Sequence, residues 1–396
     1  MFYFIGIKGS GMSALAIILK KMNYNVYGWD KAEDFFTSTN LSKNNIKIDK
    51  NIKYNTFYIY IIGNSYINDE KVYEIKNNYL YYDYSTFLDL FFKNYNKICI
   101  TGTHGKTTTT KLVKELLNST SLIGDGEGFY NKKSNYFVFE GCEYKDNFLK
   151  YNPDILIINN IDLDHVDYFK DINQVINSFQ KLVNKSKYKI AYYTSNTIKL
   201  NNLDYIYKVN EINEDDKYFY LEMNYKNNKE IIKINKINYM INNISSMYYL
   251  AKILNIKTNK IKKVIKKFKM PLRRLNRIKD KYNIIIDDYA HHPKEIKEAI
   301  LSLKNIYKNK KINVIFQPHT YSRYEYFYKE IINSLELADK FYILEPFSSN
   351  REKKKNIIIK DEYKLDINYL RSLKNEVIVF MGAGDVFKYY KKVFNY

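Results

Sequence analysis

The sequence contains few cysteines and has no long apolar run. Only Cys99 and Cys142 occur among its 396 residues, and neither belongs to a C-x-x-C pair. This excludes a disulfide framework and a cysteine-based zinc site, and fits a reducing cytoplasm. No apolar stretch approaches the ~18–20 residues that a membrane-spanning helix needs. Because residues 1–7 are also too short for the core of a signal peptide, a soluble cytoplasmic protein is expected.

The sequence also lacks a localised basic surface, although its formal net charge is +21 and its pI is about 9.4. Such values are typical of proteins that bind nucleic acids or anionic membranes. The basic residues are spread over every segment, however, and form no stripe interleaved with aromatic side chains. We therefore interpret the charge as solvated surface that suits anionic nucleotide substrates, and expect neither a nucleic-acid nor a membrane partner.

The length of the chain predicts two or three domains. Short apolar strands alternate with helical segments along most of the sequence, which is typical of parallel sheets covered by helices. We predict three α/β domains, covering residues 1–93, 94–272 and 273–396, with the proline-containing segment 269–274 as a linker. Two-residue alternation between Tyr205 and Met240 predicts short antiparallel strands late in the second domain.

The segment Thr101–Thr108, T-G-T-H-G-K-T-T, lies between an apolar strand and an amphipathic helix. It predicts a phosphate-binding loop in which backbone amides surround phosphate oxygens, Lys106 reaches the β- and γ-phosphates, and the Thr107 hydroxyl binds Mg²⁺. Ile100 stands where the general pattern has its first glycine. A glycine turn without a ligand is the alternative. The order of strand, glycines, Lys-Thr and helix favours a nucleoside triphosphate.

A second glycine turn, Gly6–Gly11, joins the first predicted strand to the first helix, and Asp30 follows the second strand. Such glycines let the backbone approach a diphosphate at a helix N-terminus, and the acid can accept a hydrogen bond from a sugar hydroxyl. Lys8 replaces the middle glycine of the dinucleotide pattern. An ordinary tight turn therefore stays open as the alternative to nucleotide-diphosphate binding.

Carboxylates and histidines follow several predicted strands, at the ends where open α/β sheets place ligands. Glu140 ends a buried strand near the phosphate loop, where a second Mg²⁺ ligand is needed, with capping or ion pairing as the alternative role. His165 lies among three acids after the next strand, which favours a metal or phosphate ligand. All histidines of the chain lie in such positions: His104, His165, His291, His292 and His319.

Together these motifs resemble those of the Mur ligases, over nearly the whole chain. The matching segments are F-I-G-I-K-G-S-G-M-S at 4–13, T-H-G-K-T-T-T-T at 103–110, I-G-D-G at 123–126, E-G-C-E-Y at 140–144, N-I-D-L-D-H at 160–165, D-Y-A-H-H-P at 288–293, Q-P-H-T-Y-S-R at 317–323 and M-G-A-G-D at 381–385. The resemblance implies a Rossmann-like N-terminal domain that binds a UDP-sugar, a central P-loop domain that binds ATP, and a Rossmann-like C-terminal domain that binds the amino acid.

The resemblance also implies a reaction. ATP, with Mg²⁺, would phosphorylate the lactyl carboxylate of UDP-N-acetylmuramate, and L-alanine would attack the acyl phosphate to form an amide during cytoplasmic peptidoglycan precursor synthesis. A monomer or weak homodimer is expected. One alternative is a recycling ligase that joins a preformed tripeptide to the same nucleotide sugar, although its corresponding loop lacks the form of 317–323. A non-catalytic nucleotide-binding or nucleic-acid-binding protein is the alternative of another class.

By this resemblance, site residues are expected in four roles. The catalytic residues are Lys106, His165, His291 and Arg323. The ATP-binding residues are Gly102, Thr103, His104, Gly105, Lys106, Thr107, Thr108, Asn243 and Arg274. The residues that bind the nucleotide sugar or the amino acid are Gly9, Ser10, Gly11, Asp30, Ser65, Arg273, Tyr289, His291 and Arg323. The Mg²⁺ ligands are Thr107, Glu140 and His165.

Three positions depart from the pattern of the family. Lys8 replaces a glycine, and Leu275 replaces an aromatic residue after the arginine pair. The segment 242–246 keeps only part of the His-Asn-x-x-Asn pattern on the adenine side. None of these departures removes a group from the phosphoryl-transfer centre, so an active enzyme with weakened nucleotide affinity is expected.

Overall fold

The computed structural model of the protein describes residues 1–31, 35–192, 200–209, 211–278, 281–348 and 355–394. Within these residues the chain forms four sheets and divides into two compact units. The described part contains no helix that is both long enough and apolar enough to cross a membrane.

The first sheet is parallel and has the strand order β3-β2-β1-β4-β5. Its strands are β1 (Phe2–Ile5), β2 (Val26–Trp29), β3 (Lys47–Asp49), β4 (Ile59–Ile62) and β5 (Tyr81–Asp83), and its helices are α1 (Ser10–Lys21), α2 (Ser38–Lys43), α3 (Tyr73–Asn78) and α4 (Tyr84–Phe91). All four residues of β1 are buried, as expected for a central strand covered on both faces. The chain adds β2 and β3 on one side of β1 and then β4 and β5 on the other side. The glycine turn that follows β1 therefore lies at the switch point of the sheet.

The second sheet has the order β12-β11-β10-β6-β9-β7-β8. Its strands are β6 (Asn96–Thr101), β7 (Thr120–Leu122), β8 (Gly128–Phe129), β9 (Tyr136–Glu140), β10 (Ile155–Ile158), β11 (Tyr188–Tyr192) and β12 (Tyr205–Tyr207), with helices α5 (Lys106–Leu117) and α6 (Ile172–Lys185) and a 3-10 segment Tyr144–Lys150. All pairings are parallel except that of β7 with β8. The predicted phosphate loop follows the central strand β6, beside the ends of β9 and β10.

A small antiparallel sheet follows, built from β13 (Glu211–Glu214), β14 (Tyr218–Tyr225) and β15 (Asn228–Asn235). It confirms the antiparallel strands predicted for this region, with one correction. Residues 205–207 form β12 instead, which pairs in parallel with β11. Helices α7 (Met240–Ile253) and α8 (Thr258–Lys267) come next.

The last sheet has the order β16-β17-β20-β18-β19. Its strands are β16 (Asn276–Ile278), β17 (Ile284–Asp288), β18 (Ile312–Phe316), β19 (Lys340–Ile343) and β20 (Val377–Met381), and its helices are α9 (Pro293–Ile306), α10 (Tyr321–Tyr326), α11 (Tyr328–Leu335), α12 (Ile367–Ser372) and α13 (Phe387–Phe394). Only the edge strand β16 is antiparallel. Two apolar clusters pack on opposite faces of this sheet, because alternate residues of a strand point to opposite sides.

The two compact units are assembled from segments that are distant in the sequence. The first contains residues 1–162, 173–208 and 246–264, and so holds the first two sheets. The second contains residues 163–172, 209–245 and 265–396. The short segment 163–172, which follows β10, therefore packs with the C-terminal sheet, and two of its apolar side chains, Leu163 and Val166, contact the core of that sheet.

Candidate active site

The phosphate loop lies between β6 and α5, in the first unit. Gly102 and Gly105 have φ angles of +130° and +79°, which glycine adopts without the steric cost that other residues incur. Gly105 is the N-cap residue of α5 and is followed directly by Lys106. The loop therefore presents a helix N-terminus, the arrangement that binds phosphate through backbone amides and the helix dipole. Thr108 is buried in the first turn of α5.

Asn160 and Asp162, which follow β10, hold this loop in place. The Asn160 side chain accepts a hydrogen bond from the His104 amide at 2.8 Å and donates to the His104 carbonyl at 3.1 Å. The Thr103 hydroxyl accepts from the Asp162 amide at 2.8 Å and donates to its carbonyl at 3.1 Å. These reciprocal bonds hold the loop in shape before any phosphate binds. Sequence reasoning noted Asn160 and Asp162 only as parts of a motif.

The Lys106 side chain folds along the loop. Its Nζ lies 2.5 Å from the Gly102 carbonyl oxygen and 3.1 Å from that of Thr103. It also forms an ion pair with Glu143, at 3.0 Å from Oε2 and 3.3 Å from Oε1. Burial opposes the charge of Lys106, but the carboxylates of Glu143 and Glu140 outweigh it and raise the pKa of the lysine. Lys106 is thus a cation at neutral pH, as phosphate binding requires.

Glu140 lies beside the first turn of α5, as the sequence predicts. Its Oε2 accepts a hydrogen bond from the Thr107 hydroxyl at 3.2 Å, and its Oε1 accepts from the Gly124 amide. Burial raises the pKa of Glu140 to about 7, against the opposing effects of the Gly124 amide and Lys106. A cation close to this carboxylate would favour the ionised form.

These two oxygens fit Mg²⁺. A hydroxyl and a carboxylate oxygen 3.2 Å apart are hard ligands of the kind that Mg²⁺ takes from a protein, with phosphate and water as its other ligands. The residues described by the structure include no group of three or more His, Cys, Asp and Glu side chains that could hold a metal ion. A site with few protein ligands, completed by nucleotide phosphates, is therefore the kind that the residues support. His165, the third predicted ligand, lies in the second unit.

The glycine turn after β1 also takes the predicted form. Gly9, Ser10 and Gly11 stand at the N-terminus of α1, and Ser65 is exposed in the turn that follows β4. Asp30 accepts hydrogen bonds from the Lys8 amide at 2.8 Å and from the Tyr66 hydroxyl at 2.9 Å. The predicted sugar-binding carboxylate is therefore oriented by the turn itself and by a tyrosine that the sequence did not single out.

In the second unit, Arg323 and Asp164 form a buried ion pair. The Arg323 Nε donates to Asp164 Oδ1 at 2.8 Å, and its Nη1 donates to the His319 carbonyl at 2.9 Å and to His319 Nδ1 at 3.0 Å. Burial alone would raise the pKa of Asp164, but the charge of Arg323 and the hydrogen bond that it donates hold this pKa well below its usual range. This pair joins the motif that follows β10 to the motif that follows β18.

His165 directly follows Asp164, and its backbone is strained. Its φ angle is +52°, a value uncommon for residues other than glycine. Its amide donates to Asp164 Oδ1 at 2.7 Å. Strained conformations of this kind cluster at functional sites, where the surrounding structure maintains them. The geometry is in keeping with a functional role for His165, and its role as a metal ligand stays a prediction.

His291 lies near Arg323 and is neutral. Its Nδ1 is 3.0 Å from the Tyr289 carbonyl oxygen and 3.4 Å from Glu295 Oε2. Burial and the charge of Arg323 lower the pKa of His291 to about 4, although Glu295 and Asp164 act in the opposite direction. Since the carbonyl can only accept, Nδ1 carries the proton of the neutral ring, and Nε2 is left with a lone pair.

The neighbouring His292 has a structural role. It is the N-cap residue of α9, where its Nδ1 accepts from the Lys294 amide at 3.3 Å. Its Nε2 then carries the proton and donates to the Leu163 carbonyl at 3.2 Å. The two adjacent histidines are thus held as opposite tautomers. His292 helps to anchor the segment 163–172, next to Asp164.

The arginine pair at the start of the third predicted domain is bound within the second unit. The Arg273 side chain is buried and donates to the carbonyls of Gly384 at 3.0 Å and Gly382 at 2.6 Å, and pairs with Asp287 at 3.3 Å. Both Nη atoms of Arg274 lie 3.2 Å from Glu295 Oε1. These contacts make Arg273 a brace of the C-terminal sheet. The predicted roles of the pair toward substrate and ATP stay predictions.

Asn243, the predicted adenine-side residue, is buried in α7. Its Nδ2 donates to the Tyr239 carbonyl one turn earlier at 2.9 Å. Three residues further along, Ser246 donates to Asn159 Oδ1 at 2.7 Å, in the first unit. Ser246, which stands where the family pattern has an asparagine, therefore contacts the residue that follows β10. The adenine contact of Asn243 stays a prediction.

Comparison with known sequences places these features in a family. The model of the Mur ligase family, catalytic domain, matches residues 1–96. That of the Mur ligase middle domain matches residues 100–273, and that of the Mur ligase, glutamate ligase domain, matches residues 273–384. The three matches follow one another along nearly the whole chain. The chain belongs to the Mur ligase family, which confirms the resemblance seen in its motifs.

Solved structures of low sequence identity share the fold. The UDP-N-acetylmuramate-alanine ligase MurC from Thermotoga maritima is 22% identical, with a TM-score of 0.80 over 100% of this chain and 98% of that one. A murein peptide ligase from Psychrobacter arcticus is 17% identical, with a TM-score of 0.67 over 100% and 98% of the two chains. The MurF ligase from T. maritima in complex with ADP is 15% identical, with a TM-score of 0.59 over 85% and 89%. The predicted three-domain α/β fold class is confirmed.

Mur ligases are ATP-dependent amide ligases of peptidoglycan synthesis, which bind a UDP-sugar and ATP. These general features of the predicted activity therefore hold for this chain. The structural relatives differ in the substrates that their names give, alanine in one and a murein peptide in another. Family membership alone therefore leaves the pair of substrates undecided.

Proposed function

We propose that the protein joins L-alanine to the lactyl carboxylate of UDP-N-acetylmuramate, with conversion of ATP to ADP and phosphate. The observation that carries the choice of amine is the segment Gln317–Arg323 after β18, which places Arg323 and His319 within hydrogen-bond distance of each other. By the motif resemblance, this segment has the form of the alanine-adding branch, which the tripeptide-recycling branch lacks. A solved alanine ligase with a TM-score of 0.80 over the whole chain supports the same choice.

The first step is phosphoryl transfer from ATP to the lactyl carboxylate. One carboxylate oxygen forms a bond to the γ-phosphorus, the bond to the β,γ-bridging oxygen breaks, and ADP leaves. Two anions must approach each other, so cationic and dipolar groups have to offset their repulsion. The Lys106 ammonium and the backbone amides at the N-terminus of α5 supply these groups in the first unit.

Thr107 and Glu140 would hold Mg²⁺ in this step. When bound, the ion neutralises charge on the β- and γ-phosphates. Thr107 is the residue that follows the phosphate-binding lysine, and its hydroxyl lies 3.2 Å from Glu140. Glu140 has to be ionised to serve as a ligand, and the cationic charge of Lys106 favours that form.

The second step is attack of the alanine amine on the acyl carbon. The nitrogen forms the amide bond, phosphate leaves with the electrons of the C–O bond, and the ammonium of alanine must lose a proton before it attacks. Its proton passes to solvent, because the low pKa of His291 makes that ring a weak base. His291 would instead orient the amine, by accepting a hydrogen bond at Nε2, the ring nitrogen with a lone pair. Arg323 would orient the alanine carboxylate by charge-assisted hydrogen bonds.

Phosphate release by the purified protein tests the proposal. We would supply Mg-ATP and UDP-N-acetylmuramate and compare L-alanine, glycine, L-serine, the recycling tripeptide and no amine. Release that requires both the nucleotide sugar and L-alanine, with the mass of UDP-N-acetylmuramoyl-alanine as product, is the expected result. A methyl group in an apolar pocket supports only ~10-fold to 200-fold preference, so some release with glycine is compatible with the proposal.

Each of the other outcomes would favour a different function for this protein. Release that depends on the tripeptide would overturn the choice of amine and select the recycling reaction. Absence of release with every amine, together with salt-sensitive binding of an oligonucleotide, would favour a non-catalytic binder.

A further inference from the structure

The ammonium of Lys106 has more acceptors than it can serve. Four oxygen atoms lie within 3.3 Å of its Nζ: two loop carbonyls and both carboxylate oxygens of Glu143. An ammonium has three N–H groups. A phosphate oxygen of ATP that reaches Lys106 must therefore compete with an acceptor already present. Of the four acceptor oxygens, only the two of Glu143 belong to a charged group.

Glu143 is placed there by a close turn after β9. Gly141 follows Glu140, its amide donates to the Ile100 carbonyl at 2.8 Å, and a Cβ at this position would lie 2.6 Å from Cys99 Sγ. The chain can pass so close to β6 only because residue 141 is glycine. Two residues later the Glu143 side chain, 2% exposed, meets the phosphate loop.

We propose that Glu143 is a positioning residue, the counter-ion that holds Lys106 against the phosphate loop and yields the ammonium to the phosphates of the bound nucleotide. The ion pair holds the Lys106 side chain against the loop, near the position from which it meets phosphate. The cost is weaker nucleotide binding, since a buried carboxylate competes with the incoming anion and repels it. That cost suits turnover, because tight binding of ATP and ADP in the ground state slows product release without lowering the barrier.

This inference rests on the proposed function only through ATP as the bound nucleotide, and not through L-alanine. It therefore concerns equilibrium binding of nucleotide, which can be measured without amine or nucleotide sugar. Failure of the amine assay and failure of this inference are distinguishable for that reason.

The experiment measures dissociation constants of Mg-ADP and Mg-ATP for the full chain and for Glu143→Gln, Glu143→Asp and Glu115→Gln. Glu115 lies on α5 and pairs with Lys114 at the surface, so Glu115→Gln is the matched control for loss of one carboxylate. We expect Glu143→Gln to bind both nucleotides about 10-fold more tightly and to turn over about 10-fold more slowly. Glu143→Asp keeps the charge, and should stay within about threefold of the parent protein in affinity.

A second arm tests whether Glu143 acts through Lys106. In a Lys106→Met background, the change Glu143→Gln should alter nucleotide affinity by much less than in the parent protein, because the cation that it restrains is gone. Equal effects in the two backgrounds would overturn the proposal. Unchanged or weaker ADP binding by a Glu143→Gln protein that melts at the parent temperature would also overturn it. If Glu143→Gln does not fold, Glu143→Asp is compared with Glu143→Ala, which lacks the carboxylate. Equal nucleotide affinities of these two variants would also overturn the proposal.

Discussion

The Nε atom of Arg323 lies 2.8 Å from Oδ1 of Asp164, and both side chains are buried within the second unit. Removal of one member of a buried ion pair leaves an uncompensated charge, which costs about 3–5 kcal/mol. We therefore expect Asp164→Ala to lower the midpoint of thermal unfolding by roughly 10 °C. Differential scanning calorimetry measures this shift.

The control for this prediction is Glu325→Gln, on the same helix as Arg323. Glu325 pairs with Lys355, and both side chains are 51% exposed. An exposed pair contributes about 0–1 kcal/mol, so the control should unfold within a few degrees of the parent protein. Equal shifts for the two variants would show that the burial of Asp164 has no special effect on stability.

His291 should make the stability of the protein depend on pH. Its pKa is lowered from 6.5 to about 4, so between these values the unfolded state binds more protons than the folded state. Stability therefore rises with pH across this window: the contribution of the neutral ring is full above about pH 6.5 and is lost as the pH falls towards 4. The largest effect is about 3 kcal/mol. Unfolding midpoints at pH 4.5 and 7.5 measure it.

The matched protein for this test is His291→Gln, which cannot titrate in this range. The fall in stability on acidification should be smaller in this variant than in the parent protein. An identical fall in both would mean that other groups carry the whole pH dependence.

Lys106→Ala should abolish turnover without unfolding the protein. The loss removes a side-chain cation that lies against the carbonyls of the phosphate loop, and we expect phosphate release to fall roughly 100-fold or more. The control is Lys114→Ala, two turns further along α5, where the side chain pairs with Glu115 and should leave the rate near its parent value. Turnover retained by Lys106→Ala would contradict the assignment of the phosphate loop.

A methyl group at Gly11 should disturb the first glycine turn. Its Cβ would lie 2.6 Å from the Tyr84 hydroxyl and 2.9 Å from the ring carbon that bears it, so the tyrosine would have to move. At Gly9 the nearest atom would be 3.4 Å away, which is ordinary contact. We expect Gly11→Ala to destabilise the protein by about 1–3 kcal/mol, and Gly9→Ala by less. A chemical denaturation series compares the two variants, and equal midpoints would show that Tyr84 adjusts at no cost.

Much of the fold could be predicted because its signals are local. Apolar runs marked strands such as β1, β6 and β10, and glycine turns marked the points where strands pass into helices. Residues 205–207 show where this reasoning stops. Their alternation is compatible with either kind of pairing, and they lie parallel to β11 because the chain returns to that edge of the second sheet.

The candidate site residues could be proposed from the sequence because their motifs are local too. Contacts between distant segments could not be predicted. Motifs marked Lys106, Glu140, His291 and Arg323 as candidates, since each lies at or after the end of a recognisable strand. The partners of the two cations were not predictable: Glu143 is 37 residues from Lys106, and Asp164 is 159 residues from Arg323. Nothing in local spacing indicates which of 43 acidic residues meets which cation.

The sequence by itself thus determined the family, the α/β fold class and the positions of the phosphate loop and the histidine motifs, because each depends on residues close together in the chain. Only the tertiary structure decided that Glu143 neutralises Lys106, that His291 is neutral with a lone pair on Nε2, and that Asp164 joins the C-terminal unit. These properties depend on burial and on distances between segments far apart in sequence, and the packing of the sheets and helices sets both.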